Sequence, residues 1–497
     1  MKLTLRSYRA FTVKCFLLAL PLIVVTSCKK NFLEAIPETT VSDATAFDTP
    51  DRILSQVNGL YSTLRSQYVD VNGNILGFLS GRYQIFSDIR AEEFKNQKTN
   101  VVTGYDIYQH TNGADNTYLA NIWTAGYLAI NRANTFLAGL QQNPGVISPA
   151  LEAQYRGEAR FVRALSYLSL VQFFAHPYTK NDGASPGLPL RLQPESTSEN
   201  NSLARSTVAQ VYAQILKDLN DAEAELAADN GDALYNTTRA HKNAAIALKT
   251  RAYLLMGNYQ SVLTEGNKIV SATAPFTSPN NIPHALVSDI SAVFKAPFTS
   301  SESVFSLAMA ATNSPGTQNE LGSYFNYDDN ASFEYSINPV SPGIFSNAQW
   351  RSIDDRKTDL TGINPGGDIY LKKYSGISPF VDYVPIIRYS EVLLNVAEAE
   401  ARVGSVSGLL RARALLEAVH HRSDPTYIFG ILTQTQLINA ILTERRIELI
   451  GEGFRSNDLL RLNLPIPSVG AGTSIAPTDD RYVFPIPVDE VNNNPGL

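Results

Sequence analysis

The stretch "YRGEARFVRALSYLSLVQFFAHPY", residues 155–178, decides the fold class. Tyr155, Ala159, Val162, Leu165, Leu168 and Val171 recur at helical spacing along it. Upstream, Ser148-Pro149 supplies a capping residue followed by a first-turn proline. The charged residues Arg156, Glu158, Arg160 and Arg163 stand among the apolar ones. Guanidinium forks beside carboxylates, inside an apolar setting, read as ion pairs within a large helical body rather than as catalytic groups.

Patterns of the same kind extend on both sides. Thr49-Pro50 opens a helix with Ile53, Val57, Leu60, Tyr61 and Leu64 on one face, and a second helix fits 118–140. Downstream, Val208, Val211, Tyr212, Ile215, Leu219, Ala222 and Leu226 form a stripe that starts near Ser206. After Thr238, Ala240, Ala244, Ala245, Ala247 and Ala252 give a small-sided helix that allows close packing. Gly257-Asn258-Tyr259 then turns the chain into a helix ending near Val270. This spacing predicts a mainly α scaffold of tetratricopeptide-like helical pairs, although no clean repeat of about 34 residues is present.

From 271 the character changes. Ten of the 26 prolines fall within 271–385, which excludes long helices there. Tyr324, Phe325, Tyr327, Phe333, Tyr335, Phe345 and Trp350 lie among Asn, Ser, Gly and Asp, and this aromatic content argues against disorder. The expectation is a large loop-rich region with a few short strands, such as 303–307. Helices return at 388–403, 406–420 and 434–451, the last opened by a Thr433/Gln436 capping box. The tail, "RYVFPIPVDEVNNNPGL", carries too much Pro and Asn for a helix. Residues 50–270 thus form an N-terminal scaffold, 271–387 the loop-rich region, and 388–497 helices that pack with the N-terminal scaffold as one domain.

Residues 1–27 hold Lys2, Arg6, Arg9 and Lys14, no acid, and a charge-free run over 15–25. That is a secretory signal, too short to span a bilayer comfortably. Cys28 follows Val25-Thr26-Ser27. The only other cysteine is Cys15, which leaves with the signal, so Cys28 has no partner for an intramolecular disulfide. Residues 28–49 read as an extended tether. Losing the four signal cations takes the net charge from −6 to −10. An acidic, unclustered balance argues against nucleic acid as a partner. No later segment approaches about 18 consecutive apolar residues, so no transmembrane helix is expected.

Signals for catalysis are poor. The six histidines form no i, i+4 pair and no H-E-x-x-H, and there is no G-x-S-x-G, phosphate loop or dinucleotide fingerprint. The pairs Asp328-Asp329, Asp354-Asp355 and Asp479-Asp480 are adjacent residues, which seldom face one bond across the roughly 5–10 Å a glycosidase needs. No enzyme activity, cofactor or metal is expected; a structural calcium among the loop acids is left open.

Seven segments in order resemble the SusD/RagB family of outer-membrane lipoproteins: "CKKNFLEAIPETT", "IWTAGYLAINRANTFLAGL", the stretch at 155–178, "AAIALKTRAYLLMGNY", "PIIRYSEVLLNVAEAEARVG", "LTERRIELIGEGFRSNDLLRL" and "VFPIPVDEVNNNPGL". They span Cys28 to Leu497. The chain departs from the family where Leu462 stands in place of the usual Trp. "VTSC" resembles a lipobox, so Cys28 is the expected site of lipid attachment. The resemblance implies a SusD-like fold, lipid-anchored at the outer face of the outer membrane. It further implies capture of a nutrient, an oligosaccharide first, and delivery to a SusC-like TonB-dependent transporter without chemical change. A peptide ligand is the alternative, and a surface glycosidase the third reading.

Sugar capture needs flat aromatic faces with polar groups at the rim, carried on loops of a rigid scaffold. Trp350, between Gln349 and Arg351, is the first candidate, followed by Tyr324, Tyr327 and Tyr335. Asp88 and Arg90 in "FSDIRAEEF" are further candidates, read as lying in a loop that in the family often reaches the ligand face. Trp123 is assigned to the core.

Overall fold

In a computed structural model, the decisive stretch lies in helix α5 (Pro149–Phe174), capped by Ser148, whose hydroxyl accepts the Leu151 N–H at 3.3 Å. The structure describes residues 45–497 except 66–67, 70–74, 77, 198, 281, 312–318, 329–330, 469 and 471. The expected signal peptide, Cys28 and most of the expected tether therefore lie outside the described residues.

α5 is buried on several sides because it is enclosed by neighbours. α4 (Thr117–Gln142) packs along it on one flank and α6 (Val208–Glu225) on another, and α1 (Pro50–Leu64) lies across α4 and α5. α4 approaches closely because it has no side chain at Gly126, where a Cβ would stand 2.8 Å from Leu170 Cδ2. α6 starts with a complete Thr207/Gln210 capping box. Onto this layer pack α8 (Lys242–Leu255), the small-sided helix expected from the alanines, and α9 (Tyr259–Gly266). α12 (Tyr389–Val403) continues the array against α9 and α8, followed by α13 (Val406–His421) and α14 (Gln434–Glu448). The C-terminal helices thus complete the N-terminal array, and the fold is mainly α, as expected.

Several elements differ from the sequence reading. A short helix, α7 (Ala233–Thr238), precedes α8, with Asp232 as its cap. α14 stops at Glu448, and Gly451 and Gly453 beyond it hold φ of +80° and +85°. The tail, expected to hold no helix, contains α16 (Val488–Asn493). Pro487 stands just before its first turn, where the missing N–H costs nothing. Asn494 then pins the tail, exchanging two hydrogen bonds with the Leu203 backbone at 2.8 and 2.9 Å.

Among the described residues, the α-helices of the loop-rich region are short: α10 (Leu321–Phe325) and α11 (Asp355–Thr358). Strand β4 (Ser303–Leu307) falls where expected and pairs antiparallel with β8 (Val384–Arg388). A hairpin of β1 (Tyr68–Val69) and β2 (Ile75–Leu76) precedes α2 (Arg82–Ile89). The remaining sheet is four-stranded and antiparallel: β3 (Phe94–Asn96), β5 (Tyr335–Ile337), β7 (Ile369–Leu371) and β6 (Thr361–Ile363), in that order. The short helix α3 (Tyr105–Tyr108) follows β3, and α15 (Arg455–Arg461) packs on α2.

Buried ion pairs join these loops to the C-terminal helices. Arg388, 2 % exposed, donates to Glu302 at 2.6 Å, Glu448 at 2.8 Å and Glu452 at 2.7 Å. Lys373 also reaches Glu452, at 2.6 Å. Arg461 grips Glu398 with two bonds, of 2.8 and 2.7 Å, and shares Asp458 with Arg445. Burial alone would raise Glu444 and Asp458, but their cationic partners outweigh it: Arg356 and His420 hold Glu444 down at about 2, and Arg445 and Arg461 do the same for Asp458. The charged cluster of 444–461 is therefore internal and paired.

Candidate ligand-binding face

Most of the aromatic candidates are inside the protein. Trp350 is 2 % exposed and packs edge-on to Phe345, with ring centroids 5.3 Å apart. Its neighbours act as a latch. Gln349 donates to Ala440 O at 3.1 Å, and Arg351 donates to Asp424 Oδ2 at 2.7 Å. Tyr324 and Tyr335, 1 % and 0 % exposed, stack on each other within 3° of parallel, and the Tyr335 hydroxyl donates to Thr103 O at 3.1 Å. These three rings are core residues with no free face.

Asp88 and Arg90 are corrected in two respects. They belong to α2 and its C-cap rather than to a loop, and both are buried. Asp88 accepts the N–H groups of Gly453 and Arg455 at 3.0 and 3.1 Å, tying α2 to the turn before α15. Burial pushes its carboxyl up to about 7 against the pull of those two bonds. Arg90 donates to Arg481 O, and its guanidinium lies 4.3 Å from the Phe484 ring centroid. Both residues hold the scaffold together.

Tyr327 is the candidate that reaches solvent, at 44 % exposure. Its ring centroid is 5.9 Å from that of Tyr370, a residue the sequence reading did not single out. Tyr370 sits in the middle of β7, and the sheet register explains how its ring is displayed. The pairs Phe94↔Ile337 and Ile337↔Ile369 place those side chains on the inner face, while Ile363, paired with Ile369 on the edge strand, runs beyond the core and is 70 % exposed. The alternate residues then share the opposite face: Lys95 on β3, Ser336 on β5, Tyr370 on β7 and Gly362 on β6. Gly362 faces Tyr370 across the strands, and a Cβ there would lie 2.3 Å from Tyr370 Cζ. The tyrosine ring rests where that side chain would be, lying across the neighbouring strand.

Polar groups border this ring. Gln97 Nε2 donates to Ser336 Oγ at 2.7 Å and to Asp368 Oδ1 at 3.4 Å. Asp368 is held by the β6–β7 turn, where its N–H donates to Asn364 Oδ1 at 2.8 Å. On the far side of Tyr327, the loop 375–383 packs closely: a Cβ at Gly376 would stand 2.6 Å from Asp328 Cβ. Asp382 closes that loop by accepting the Ser375 N–H at 2.8 Å, and burial pushes its carboxyl up to about 6. The result is a half-exposed pair of rings with an amide and a carboxylate beside it.

Period-2 alternation could have located this face. In "GDIYLKK", residues 367–373, Ile369 and Leu371 alternate with Asp368, Tyr370 and Lys372, after an Asn-Pro-Gly-Gly turn.

Two of the acid pairs have a member engaged by arginine. Asp354 is taken by Arg356 at 2.7 Å and Asp479 by Arg481 at 2.7 Å, while Asp329 lies outside the described residues. Among the described residues, Asp354, His420 and Asp424 bring ligand-type atoms within 4.8 Å of one another. Both carboxylates there already carry a guanidinium, from Arg356 and Arg351, so positive charge is supplied without an ion. No helix among the described residues is long and apolar enough to cross a membrane.

Comparisons with known proteins agree with one another. Residues 31–254 match a family described as "Starch-binding associating with outer membrane", and residues 381–497 match the "SusD family". A crystal structure of a SusD superfamily protein from Bacteroides fragilis is 33% identical, with a TM-score of 0.80, covering 91% of this chain and 99% of that one. A SusD-like protein of Formosa agariphila is 24% identical over 527 residues, covering 97% of both chains. A laminarin-binding SusD-like protein shares the fold at a TM-score of 0.68 and 19% identity, covering 90% of this chain and 98% of that one.

Proposed function

Since this chain belongs to the SusD family, a carbohydrate-binding family associated with the outer membrane, we propose that it captures an oligosaccharide on the outward face of the β3–β5–β7–β6 sheet. It then delivers the sugar, unaltered, to a SusC-like TonB-dependent transporter. In this reading Cys28 carries the lipid that holds the protein at the cell exterior. Residues 50–270 and 388–497 serve as the platform, and 271–387 supply most of the ligand face.

The observation that carries the reading is the Tyr370 ring laid across Gly362, with Tyr327 at 5.9 Å. A pyranose presents an apolar C–H face and a rim of hydroxyls. The rings accept the face, and Gln97 and Asp368 accept and donate at the rim. Covering about 100 Å² of apolar surface contributes roughly 2.5 kcal/mol. That modest contribution suits a protein that must release what it catches. The same fold in a laminarin-binding SusD-like protein supports a glycan ligand here.

The reading is tested by isothermal titration of wild type and Tyr370→Ala against a panel of neutral oligosaccharides and a panel of short peptides. The expected result is binding to at least one glycan, weakened tenfold or more in the variant. Binding to peptides with none to any glycan would replace the sugar by a peptide ligand.

A further inference from the structure

A sizeable cavity lies away from the sheet. It is an open groove of about 410 Å³ between α4, α5 and the segment 191–195. It shares no lining residue with the ligand face described above. We infer that this groove is a second binding site, selective for glycan segments that carry a carboxylate or a sulfate.

Its floor is a row of guanidiniums. Arg156, Arg160 and Arg163 follow one face of α5 and span about 10 Å at 1.5 Å per residue. Lys217 of α6 and the amides of Gln141 and Gln193 complete the donor set. The acids that balance the row stand behind it on α6. Arg163 holds Asp218 with bonds of 2.9 and 2.6 Å, and Arg156 reaches Glu225 at 3.0 Å. Exposure is mixed along the row: the Arg156 and Arg160 side chains are 33 % and 23 % exposed and Arg163 11 %, while of the acids Asp218 and Glu225 are at 1 % and 17 % and Asp221 at 34 %. The Nη2 groups of Arg156 and Arg160 have no hydrogen-bond partner among the described residues.

A zipper of ion pairs between two helices needs no cavity above it. Here the roof is held off the floor by two asparagines of α4. Asn131 exchanges bonds of 2.9 and 2.8 Å with the Glu195 backbone. Asn134 donates to Arg191 O at 3.0 Å and Gln193 O at 3.1 Å, and it also accepts from Arg163 at 2.8 Å. One residue thus fixes both roof and floor. The volume lies in the usual range for a small-molecule site.

The lining sets the ligand class. Free guanidinium donors take an anionic oxygen. Glu152, also in the lining, accepts from hydroxyls, which serve as donor and acceptor alike. A run of acidic residues in a peptide would meet Glu152 and the half-buried Asp221 with like charge.

The test is titration of the full mature protein with a galacturonic acid trisaccharide, a sulfated galactose trisaccharide, the neutral galactose trisaccharide and an Asp/Glu hexapeptide. Each is run at 0.05 and 0.5 M NaCl, with the salt range chosen because screening grows steeply across it. At least one charged sugar is expected to bind tenfold tighter than the neutral one at low salt and to lose most of that advantage at high salt. Which of the two does so identifies carboxylate or sulfate. Arg160→Gln should weaken it about tenfold and the exposed Lys217→Gln about threefold, whereas Tyr370→Ala should leave it unchanged. Lys217→Gln keeps the test valid if Arg160→Gln fails to fold. Equal affinity for charged and neutral sugars would overturn the inference. So would binding that survives Arg160→Gln and Lys217→Gln but is lost in Tyr370→Ala, or binding of the hexapeptide alone. Loss of neutral-sugar binding in Tyr370→Ala concerns the sheet face alone, so the two proposals fail separately.

Discussion

Replacing Arg388 by Met tests the buried ion pairs as the joint between the loop-rich region and the C-terminal helices. Methionine keeps much of the length but removes the charge. The guanidinium donates to three carboxylates, Glu302, Glu448 and Glu452, as well as to Ser390 Oγ at 2.7 Å and Glu448 O at 2.9 Å. After the change Glu302 keeps Arg422, Glu452 keeps Lys373, and Glu448 keeps Arg356 and Arg422. Breaking a buried network from one side leaves excess negative charge out of water and costs about 3–5 kcal/mol. Because total stabilities are typically about 5–15 kcal/mol, the loss is large. Acid should soften it. Burial raises Glu452, but Arg388 and Lys373 outweigh it and hold the carboxyl below its usual range. A depressed carboxyl contributes stability above its unfolded pKa and loses it as pH falls through the folded value. Without Arg388 the folded value rises, Glu452 protonates sooner, and the excess charge is relieved. Urea unfolding followed by circular dichroism should therefore show a penalty of about 3–5 kcal/mol at pH 7, shrinking toward pH 4.5. Adding Glu452→Gln should recover part of it at pH 7. A penalty below about 1 kcal/mol at pH 7, within the range of an exposed pair, would refute the argument, as would one that grows on acidification.

Gly362→Val should abolish the resting place of the Tyr370 ring, since even a Cβ would lie 2.3 Å from Cζ. Glycan binding should fall about tenfold by titration calorimetry while the melting temperature holds, because valine suits a strand better than glycine. Asp88→Asn should alter the pH dependence of stability with the opposite sign to the network acids. With its folded carboxyl raised to about 7, wild type loses stability as pH rises from about 4 through 7. The variant should be less stable at pH 5, where one of two backbone N–H partners is left poorly served at a cost of about 1 kcal/mol, and more stable than wild type by pH 8, because wild type alone loses about 1.4 kcal/mol per pH unit up to about 7. A pH-independent gap in denaturant midpoints would contradict this. Cys28→Ala should move the protein from the membrane to the soluble fraction on cell fractionation, with sugar binding of the purified protein unchanged.

The helices were legible because each carries several turns of apolar period and a chemical start signal. Ser148-Pro149, Thr49-Pro50 and Thr433/Gln436 all act as caps in the structure. The charged run at 444–461 was also readable as internal pairing, since so many forks and carboxylates stand among apolar residues. The ligand face was not. Its strands are three residues long, so alternation shows only in "GDIYLKK", and the fate of a ring depends on what faces it across the sheet. Trp350, Tyr324 and Tyr335 carry the same local chemistry as Tyr370, yet register and packing send them inward. What exposes Tyr370 is Gly362 on the neighbouring strand, a contact set by pairing rather than by nearby sequence. Asp88 and Arg90 misled for a similar reason: polar residues in a short helix bind backbone 365 and 391 positions away.

The most direct measurement is a crystal structure of the protein soaked with an oligosaccharide that it binds in solution. The account predicts a pyranose ring packed on Tyr370 and Tyr327, with hydroxyls at Gln97 and Asp368. A neutral sugar bound elsewhere, with that face of the sheet bare, would contradict it.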